Sequence, residues 1–481
     1  MDEAGMVDGE FDIAVIGAGS AGPKAARTAA KMGATVVLFE EALIGGECLY
    51  TGCVPSKAVI YAASLWKKIQ RADEFGLPVF DGRAADFGAV MRHARQTIET
   101  VGAGSAVDSF ARAGITTVCE RATFVDPHTV VTSKTGRRFR AKQFILCTGS
   151  VPTVPDVPGL EEAGYETNRN VFERTTLPSR LAVLGGGPIG CELGQVFSRF
   201  GSKVTLLHNG DRILARDDAD AAEMLRAWLV AEGMRVITKA KINRVDVQGG
   251  EKILRLASGE DIVVDAILVA SGRRANIAGL GLDAAGVKVD GGRLKTDQTL
   301  RTNAEHIWAA GDIATDYKFT HVVSYEGAVA ALNAVAALSG KPAIAADYRV
   351  VPRVTYTDPE VASVGLTPAL ARISYAEDDI DVARFDFADL DKAIIMGETE
   401  GFVQIVSLKS DGTILGAQIV GAYAGSLISE ICLAMRARLS VAEIALTMHA
   451  YPTMPEAVEA AAYRSCHSPL SPNIPREMGD N

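Results

Sequence analysis

The sequence has no excess of basic residues. Its 49 Lys and Arg are outnumbered by 59 Asp and Glu, which gives a formal net charge of −10 at pH 7. An acidic chain repels the phosphates of nucleic acids and of anionic lipids, so bulk electrostatics argue against binding to either surface. We therefore expect neither a nucleic-acid nor a membrane partner.

Long apolar runs and targeting signals are also missing. The longest stretch without a charged residue, 412–429, contains four glycines and changes periodicity midway, which indicates a strand, a loop and a helix start rather than a membrane span. The first ten residues, MDEAGMVDGE, are acidic and polar, unlike the basic start of a signal peptide. These features predict a cytoplasmic protein.

Cysteine is scarce, with seven in a chain of 481 residues. An odd count in a long chain argues against a disulfide framework, so we expect any disulfide to be catalytic. The length corresponds to about three domains. Glycine, in contrast, is abundant at 47 residues without a collagen-like period, which indicates tight turns.

A βαβ unit with a glycine-rich turn is predicted near the N-terminus. An apolar strand runs into GAGSAG, an alanine-rich helix follows, and a second strand ends at Glu40. Gly17 permits the tight turn, Gly19 lets the backbone approach a pyrophosphate, and Gly22 lets the helix pack on the strand. The helix N-terminus offers free N–H groups to phosphate, and Glu40 stands where an acid binds ribose. We therefore predict a dinucleotide site.

The same pattern returns about 170 residues later, at Gly185, Gly187 and Gly190. Here the second strand ends without an acidic residue, and three cations follow: His208, Arg212 and Arg216. They either meet the 2′-phosphate of a nucleotide or are solvated loop charges. The missing acid favours NADP, with NAD as the other possibility. Two dinucleotide sites in one chain favour a hydride donor combined with a flavin.

Two cysteines, Cys48 and Cys53, lie five positions apart in GGECLYTGCVPSK. A regular helix would separate them axially by ~7.5 Å, whereas the Cα atoms of a disulfide lie within ~6.8 Å. A bridge therefore needs an irregular helix start, which Gly52 and Pro55 permit. Structural thiols and half of a zinc site are the alternatives, but no second Cys/His pair has the spacing that zinc needs. The position at the end of the βαβ unit favours a redox-active disulfide without a resident metal.

Seven motifs in one order resemble the FAD-dependent pyridine nucleotide–disulfide oxidoreductases, a family that includes dihydrolipoyl dehydrogenases and mercuric reductases. They are GAGSAG, GGECLYTGCVPSK, CTGSVP, GGGPIGCELG, GRRAN, AAGD and HAYPTMPE. The resemblance covers about residues 10–464. It implies a homodimeric enzyme that takes a hydride from NADP or NAD, passes electrons through FAD to a disulfide, and reduces a small-molecule or metal-ion acceptor.

The resemblance also implies a fold class and a domain order. The fold is α/β, with two Rossmann-like dinucleotide-binding domains and an α+β C-terminal dimerisation domain. The implied segments are 1–155 and 276–345 for the FAD and central domain, 156–275 for the NAD(P) domain, 346–470 for the interface domain and 471–481 for an irregular tail. A proline-rich linker at 152–158 and a change of composition near 346 agree with these boundaries.

The same family resemblance also implies which residues form the site. FAD would contact Gly17, Gly19, Gly22, Glu40, Thr148, Gly149 and Asp312. The nicotinamide dinucleotide would contact Gly185, Gly187, Gly190, Gly272 and Arg273. Cys53 would be the thiol beside the flavin and Cys48 the thiol that meets the acceptor, while Lys57 and Glu192 would pair beside the flavin ring.

The last motif departs from the disulfide-exchanging members of the family. Those members carry a catalytic histidine before the proline, paired with a downstream glutamate, whereas this chain has Tyr451 and retains Glu456. Tyrosine titrates near 10 and histidine near 6.5, so tyrosine is a poor base at neutral pH. Mercuric reductases resemble this chain here, so an acceptor of either type is expected. The alternative is a flavin-bearing interaction subunit with little turnover, which Tyr451 supports and the intact cysteine motif opposes.

Overall fold

The computed structural model describes residues 7–103 and 107–465. The irregular tail predicted at 471–481 and the last residues of the predicted interface domain, 466–470, lie outside this range. Among the described residues, short 3-10 helices lie at Ala72–Phe75, Val171–Glu173, Glu377–Asp379 and Phe387–Asp389.

The α-helices follow one another along the described chain as α1 (Ala21–Lys31), α2 (Gly46–Tyr50), α3 (Cys53–Gln70), α4 (Phe87–Gly102), α5 (Val107–Arg112), α6 (Leu160–Ala163), α7 (Pro188–Arg199), α8 (Ala219–Ala231), α9 (Thr320–Leu338), α10 (Pro368–Ser374), α11 (Asp391–Met396), α12 (Ala424–Ala437), α13 (Val441–Ala445) and α14 (Glu456–Ser465).

The strands are β1 (Gly9–Ile16), β2 (Val36–Phe39), β3 (Ile115–Val118), β4 (Ala122–Asp126), β5 (Thr129–Thr132), β6 (Arg138–Leu146), β7 (Ser150–Pro152), β8 (Arg180–Leu184), β9 (Lys203–Leu207), β10 (Arg235–Ile237), β11 (Ile242–Gln248), β12 (Glu251–Leu256), β13 (Asp261–Val264), β14 (Ala266–Val269), β15 (Arg273–Ala275), β16 (Val289–Asp290), β17 (Arg293–Leu294), β18 (Ile307–Ala309), β19 (Arg353–Thr355), β20 (Glu360–Gly365), β21 (Ile380–Asp386), β22 (Phe402–Leu408) and β23 (Ile414–Gly421).

The first sheet has the order β3-β2-β1-β6-β5-β4, with β18 also paired to β6. Strands β1, β2, β3, β6 and β18 run parallel, and β4 and β5 form an antiparallel edge. Ile13, Val15 and Leu38 are fully buried, because helices and loops cover both faces of a parallel sheet. The β1-α1-β2 unit confirms the predicted βαβ pattern, and α1 packs its alanines against α9.

The second sheet repeats this arrangement with the order β10-β9-β8-β14, all parallel. Helix α7 connects β8 to β9, which confirms the second predicted βαβ unit. A separate antiparallel sheet, β11-β12-β13, packs beside it. The carboxyl ends of β8 and β14 meet at the second glycine turn, where ligands bind in folds of this class.

The C-terminal part is an antiparallel five-stranded sheet of order β19-β20-β23-β22-β21. Helices α12 and α14 pack on it and enclose an apolar core of their own. The α/β class with a C-terminal α+β unit is therefore confirmed. The boundaries predicted at residues 155, 275 and 345 stay a prediction.

Helix α9 is long and apolar enough to cross a membrane by length and composition. Half of it is buried, and it packs on α1 and β6 in the first sheet. It also carries a buried carboxylate, Glu326, which accepts a hydrogen bond from the Gly311 backbone N–H. Packing in the core of this fold accounts for the apolar composition of the helix.

Candidate active site

The first glycine turn, 17–22, is shaped for close backbone approach. Gly17 has φ of +100°, and a Cβ there would lie 2.5 Å from the Cys147 carbonyl oxygen. A Cβ on Gly22 would lie 1.8 Å from the Gly17 carbonyl oxygen, so α1 can begin directly behind β1 only with glycine. A Cβ on Gly19 would meet nothing within 4 Å, and no side chain caps the first N–H groups of α1. An open backbone at a helix N-terminus fits a pyrophosphate, as FAD requires.

Glu40 reaches this turn from the end of β2. Its carboxylate accepts hydrogen bonds from the backbone N–H groups of Ala18, at 2.7 Å, and Ala42, at 2.9 Å. The structure thus brings the predicted acid and the first glycine turn together.

The second glycine turn, 185–190, has the same geometry. Gly185 has φ of +126°, and a Cβ there would lie 2.3 Å from the Ala270 carbonyl oxygen. A Cβ on Gly190 would lie 1.9 Å from the Gly185 carbonyl oxygen, and Gly187 again meets nothing within 4 Å. The backbone therefore presents a second open cradle at the N-terminus of α7, which fits a second dinucleotide.

The three cations after β9 differ in what they contact. His208 Nδ1 accepts a hydrogen bond from the Gly186 backbone N–H at 3.2 Å, and burial lowers its pKa, so it carries no charge toward a phosphate at neutral pH. Arg212 donates to the carbonyl oxygens of Ala215 and Asp217. Arg216 is exposed and makes no hydrogen bond or ion pair within the described part of the chain.

The cysteine pair, Cys48 and Cys53, spans a break between two helices. Cys48 lies in α2 and Cys53 begins α3, with Thr51 and Gly52 between them. This confirms the irregular helix start that a bridge requires. Both are thiols in the structure, and the Thr320 hydroxyl lies 3.3 Å from the Cys48 sulfur and 3.2 Å from the Cys53 sulfur.

The two thiols hydrogen-bond to each other, and this contact dominates their ionisation. It lowers the pKa of Cys48 to about 6, although burial opposes the shift. The same contact, with burial and the charge on Cys48, raises the pKa of Cys53. The two thiols therefore titrate as a pair in which Cys48 loses its proton first. Lys57 acts the other way on Cys53, because its positive charge lowers the pKa of that thiol.

Lys57 and Glu192 form the ion pair that the family resemblance implies. Lys57 Nζ lies 2.8 Å from Glu192 Oε2, although the two residues are 135 positions apart, and the Glu192 side chain is 4% exposed. The Tyr356 ring covers the same ammonium, with its centroid 4.5 Å from Nζ. The site therefore holds one positive charge beside the cysteine pair.

Thr148, Gly149 and Asp312 lie together at the carboxyl edge of the first sheet. The Thr148 hydroxyl donates to the Asn276 carbonyl oxygen at 2.7 Å, and the Asn276 N–H donates to the Gly149 carbonyl oxygen at 2.9 Å. The Ser150 hydroxyl donates to the Asp312 carboxylate. These contacts fix the loop after β6 against Asn276 and the start of β7 against the loop after β18.

The Arg273 side chain contacts the segment just before Cys48 and the edge of the first sheet, and its contact with the nicotinamide dinucleotide stays a prediction. Its guanidinium donates to Ser150 Oγ at 2.7 Å and forms an ion pair with Glu47, the residue before Cys48. The carbonyl oxygen of Gly272 accepts from the Thr153 N–H, next to the pairing of β15 with β7.

Several contacts around the cysteine pair escaped the sequence analysis. Glu47 is held by Arg169 at 2.9 Å as well as by Arg273, and the separations along the chain are 122 and 226 residues. Thr320 reaches the pair from α9, and Tyr356 reaches Lys57 from the turn after β19. No local pattern signals contacts between such distant segments.

The C-terminal motif places Tyr451 on the surface. Its side chain is 71% exposed, and its hydroxyl donates to Asp391 Oδ2 at 2.7 Å, which raises the pKa of the tyrosine. Glu456 Oε2 accepts from the Thr453 N–H at 2.6 Å. Within the described chain, no hydrogen bond joins Tyr451 to Glu456 or to the cysteine pair. His449 is instead enclosed by the carboxylates of Glu430 and Glu459.

Known proteins similar to this chain agree with the geometry. Residues 11–332 match the family profile of the pyridine nucleotide-disulphide oxidoreductases, and residues 351–462 match the dimerisation domain of the same group. The chain is 36% identical to the dihydrolipoyl dehydrogenase of Chlamydia muridarum, over 96% of this chain and 98% of that protein. It is 34% identical to the dihydrolipoyl dehydrogenase of Geobacillus stearothermophilus, over 97% and 99%.

Solved structures extend the likeness to the whole fold. The HOCl-induced flavoprotein disulfide reductase RclA of Escherichia coli superimposes with a TM-score of 0.84 at 26% identity, covering 94% of this chain and 99% of that chain. The Cu(II) complex of the same protein superimposes with a TM-score of 0.82, covering 93% and 98%.

Proposed function

Because this chain belongs to the pyridine nucleotide-disulphide oxidoreductase family, which uses FAD and NAD(P), we propose that it oxidises NAD(P)H and reduces an external acceptor through Cys48 and Cys53. The dimerisation domain at 351–462 indicates a homodimer. The observation that carries the proposal is the cysteine pair at the α2–α3 break, with the Lys57 ammonium beside it.

The two glycine turns divide the cofactors between them. We propose that FAD binds at the first turn, with Glu40, Thr148, Gly149 and Asp312 around it, and NAD(P)H at the second. Bound FAD supplies a two-electron carrier between the nicotinamide and the sulfur pair. The protein contributes bare helix N-termini for both pyrophosphates and open backbone at Gly19 and Gly187.

The cysteine pair would act by thiol–disulfide chemistry. Two electrons and one proton open the Cys48–Cys53 bond to one thiol and one thiolate. With a disulfide acceptor, Cys48 attacks one acceptor sulfur and releases the other as a thiolate. Cys53 gives its proton to that thiolate and then attacks the Cys48 sulfur, which restores the bridge and releases the second acceptor thiolate. The Lys57 charge favours the thiolate form of Cys53 during this exchange.

An open groove of about 410 Å³ begins at Ser20, whose hydroxyl hydrogen-bonds the Cys48 thiol. It follows the exposed face of α1 along Lys24, Arg27 and Lys31. None of these three cations has an acidic partner within residues 7–103 and 107–465, although the chain as a whole is acidic. We propose that the acceptor approaches Cys48 along this groove and that negatively charged acceptors are favoured.

Tyr451 bears on the class of acceptor. A disulfide acceptor needs a base near neutral pH, and the Asp391 hydrogen bond raises the pKa of this tyrosine further above that range. A thiophilic metal ion, held by the two sulfurs, needs no such base. RclA, solved as a Cu(II) complex, supports the metal-ion class, as does the tyrosine shared with mercuric reductases. Because Tyr451 is 71% exposed and lies within the dimerisation domain at 351–462, we propose that it faces Cys48 of the partner protomer.

The second candidate acceptor is a lipoyl disulfide. The relatives named dihydrolipoyl dehydrogenase, at 34–36% identity over nearly the whole chain, favour it. A flavin-bearing interaction subunit with little turnover is the remaining alternative. A steady-state panel of lipoamide, glutathione disulfide, Hg²⁺, Cu²⁺ and quinones with NADPH separates these possibilities, because an interaction subunit reduces none of them.

For the hydride donor, we propose NADPH. No acid stands at the end of β9, and Arg216 is left without a partner in the described chain. The predicted cytoplasmic location agrees with a supply of NADPH and with thiols that are kept reduced.

A further inference from the structure

Helix α7 carries three buried polar side chains on one face. Glu192, Gln195 and Arg199 follow at spacings of three and four residues, and their exposures are 4%, 3% and 5%. Residues at this spacing lie above one another on a helix. Polar side chains so deeply buried must be paired, and all three are paired with the same short segment.

That segment is the Tyr356 turn, residues 356–359, which joins β19 to β20. The Tyr356 N–H donates to Glu192 Oε1 at 2.8 Å. Gln195 bonds both the N–H and the carbonyl oxygen of Asp358, at 2.8 and 2.6 Å, and Arg199 donates to the Asp358 carboxylate at 2.6 Å. The α7 face therefore fixes both the backbone and a side chain of the turn.

The turn in its fixed position determines where the Tyr356 ring lies. The ring centroid is 4.5 Å from Lys57 Nζ, which is also bound by Glu192 at 2.8 Å. The Lys57 ammonium is thus held between a carboxylate and the face of an aromatic ring. Its positive charge also acts on the Glu360 carboxylate, where it lowers the pKa. Among the described residues, the groups that act on Cys53 include Cys48, Thr320, Lys57 and Tyr356.

We infer that Tyr356 is a positioning residue whose ring, anchored by α7, holds the Lys57 ammonium beside the Cys53 sulfur. The inference rests on the proposed function, in which Cys53 attacks as a thiolate once the Cys48 sulfur is bonded to the acceptor. A cation over an aromatic face is attracted by the ring quadrupole, and the attraction grows as water is excluded. Phenylalanine keeps this interaction and leucine removes it, so the two substitutions separate the ring from its hydroxyl.

The test uses the full-length FAD-loaded dimer in a Cys48→Ser background, where Cys53 titrates without its partner thiol. The pH midpoint of the Cys53 thiolate is read from the alkylation rate of Cys53 by iodoacetamide, followed by peptide mass spectrometry, and from the long-wavelength absorbance of the protein. The added variants are Tyr356→Leu, Tyr356→Phe and Lys57→Met. Tyr375→Leu is the control, because Tyr375 and Tyr356 are each 38% exposed and Tyr375 lies at the end of α10.

We expect Tyr356→Leu to raise the midpoint by about 0.5 unit, the size of a partly desolvated cation–ring contact. Tyr356→Phe and Tyr375→Leu should leave it unchanged. Lys57→Met should raise it more, and adding Tyr356→Leu to Lys57→Met should change nothing further, because the ring acts through the ammonium.

An unchanged midpoint in Tyr356→Leu overturns the inference, as does a further shift on top of Lys57→Met. If Tyr356→Leu does not fold, Gln195→Met releases the turn and keeps the ring, and it should raise the midpoint in the same direction. An unchanged pH midpoint of Cys53 in Gln195→Met then overturns the inference. Failure of the proposed function looks different: the Cys48→Ser protein itself would show no long-wavelength band at any pH.

Discussion

The cysteine segment, 48–57, and the C-terminal motif, 449–456, stand at two ends of one proposed electron path and differ in what surrounds them. The cysteine segment is contacted by α7, by α9 and by the turn after β19, and the predicted Lys57–Glu192 pair is present beside the two cysteines. Tyr451 is 71% exposed, bonds only Asp391 among the described residues, and replaces the histidine of the disulfide-exchanging members. The comparison indicates that reduction of the Cys48–Cys53 pair and reduction of the acceptor by that pair are separate properties of the protein.

The largest expected effect is at the cysteine pair. Cys48→Ser and Cys53→Ser should each reduce acceptor turnover to the background rate, because one sulfur cannot form or restore the bridge. Cys48→Ser should also develop a long-wavelength absorbance in the resting protein, since removing Cys48 removes the contact that raises the pKa of Cys53. Cys53→Ser should lack that absorbance.

Cys119→Ser is the matched control, since this exposed thiol lies at the end of β3 and outside the proposed path. Full turnover in both Cys48→Ser and Cys53→Ser would show that electrons leave the protein by another route.

A smaller effect is expected at the C-terminal motif. Tyr451→His restores a group that gains and loses a proton near neutral pH, and such help is worth about 10² to 10⁴ in rate when fully used. We expect lipoamide turnover to rise at least several-fold at pH 7 to 8 and turnover with a thiophilic metal ion to fall. The measurement is steady-state kcat with both acceptors.

Tyr423→His is the control for a new histidine on the same part of the chain, because Tyr423 is also half-exposed but precedes α12. Equal gains in the two variants would mean that a surface histidine, rather than its place, is responsible. No gain in Tyr451→His would remove the base argument.

The ionisation of the reduced pair gives the next effect in size. Alkylation of Cys48 should rise with pH through about 6, because only the thiolate reacts and the Cys53 hydrogen bond lowers the pKa. Cys53→Ala removes that donor, so the midpoint should move up by about 1 unit or more, the worth of a hydrogen bond to a charged sulfur. Below the midpoint the protein should be alkylated slowly. An unchanged midpoint of Cys48 in Cys53→Ala would show that the two thiols do not titrate as a pair.

The smallest effect is expected for the hydride donor. NADPH should be preferred to NADH in kcat/KM, and Arg216→Ala should lower that preference a few-fold, to about the extent that one exposed ion pair allows. Lys203→Ala removes an exposed positive charge at the opposite end of β9 and should leave the preference unchanged. A preference for NADH in the unmodified protein would contradict the assignment.

The sequence predicts the parts of the site that are local in the chain. The glycines at 17–22 and 185–190 specify their turns because a Cβ would clash with backbone a few residues away. Arg273 shows the limit, because its side chain pairs with Glu47, 226 residues earlier, and no local pattern predicts that contact. The role of Tyr356 could not be predicted for the same reason, because it depends on how α7 packs against the C-terminal sheet and no spacing pattern encodes that packing.

In this account, Cys48 and Cys53 carry electrons as the family pattern implies, whereas Tyr451 replaces the histidine that would transfer a proton to or from the acceptor. The most direct test mixes the protein rapidly with each substrate in turn and follows the flavin absorbance in the original protein and in Tyr451→His. We expect the same rate of reduction by NADPH in both, and reoxidation of the reduced protein by lipoamide at least several-fold faster in Tyr451→His. Reoxidation by lipoamide that is equally fast in the two proteins would contradict the claim.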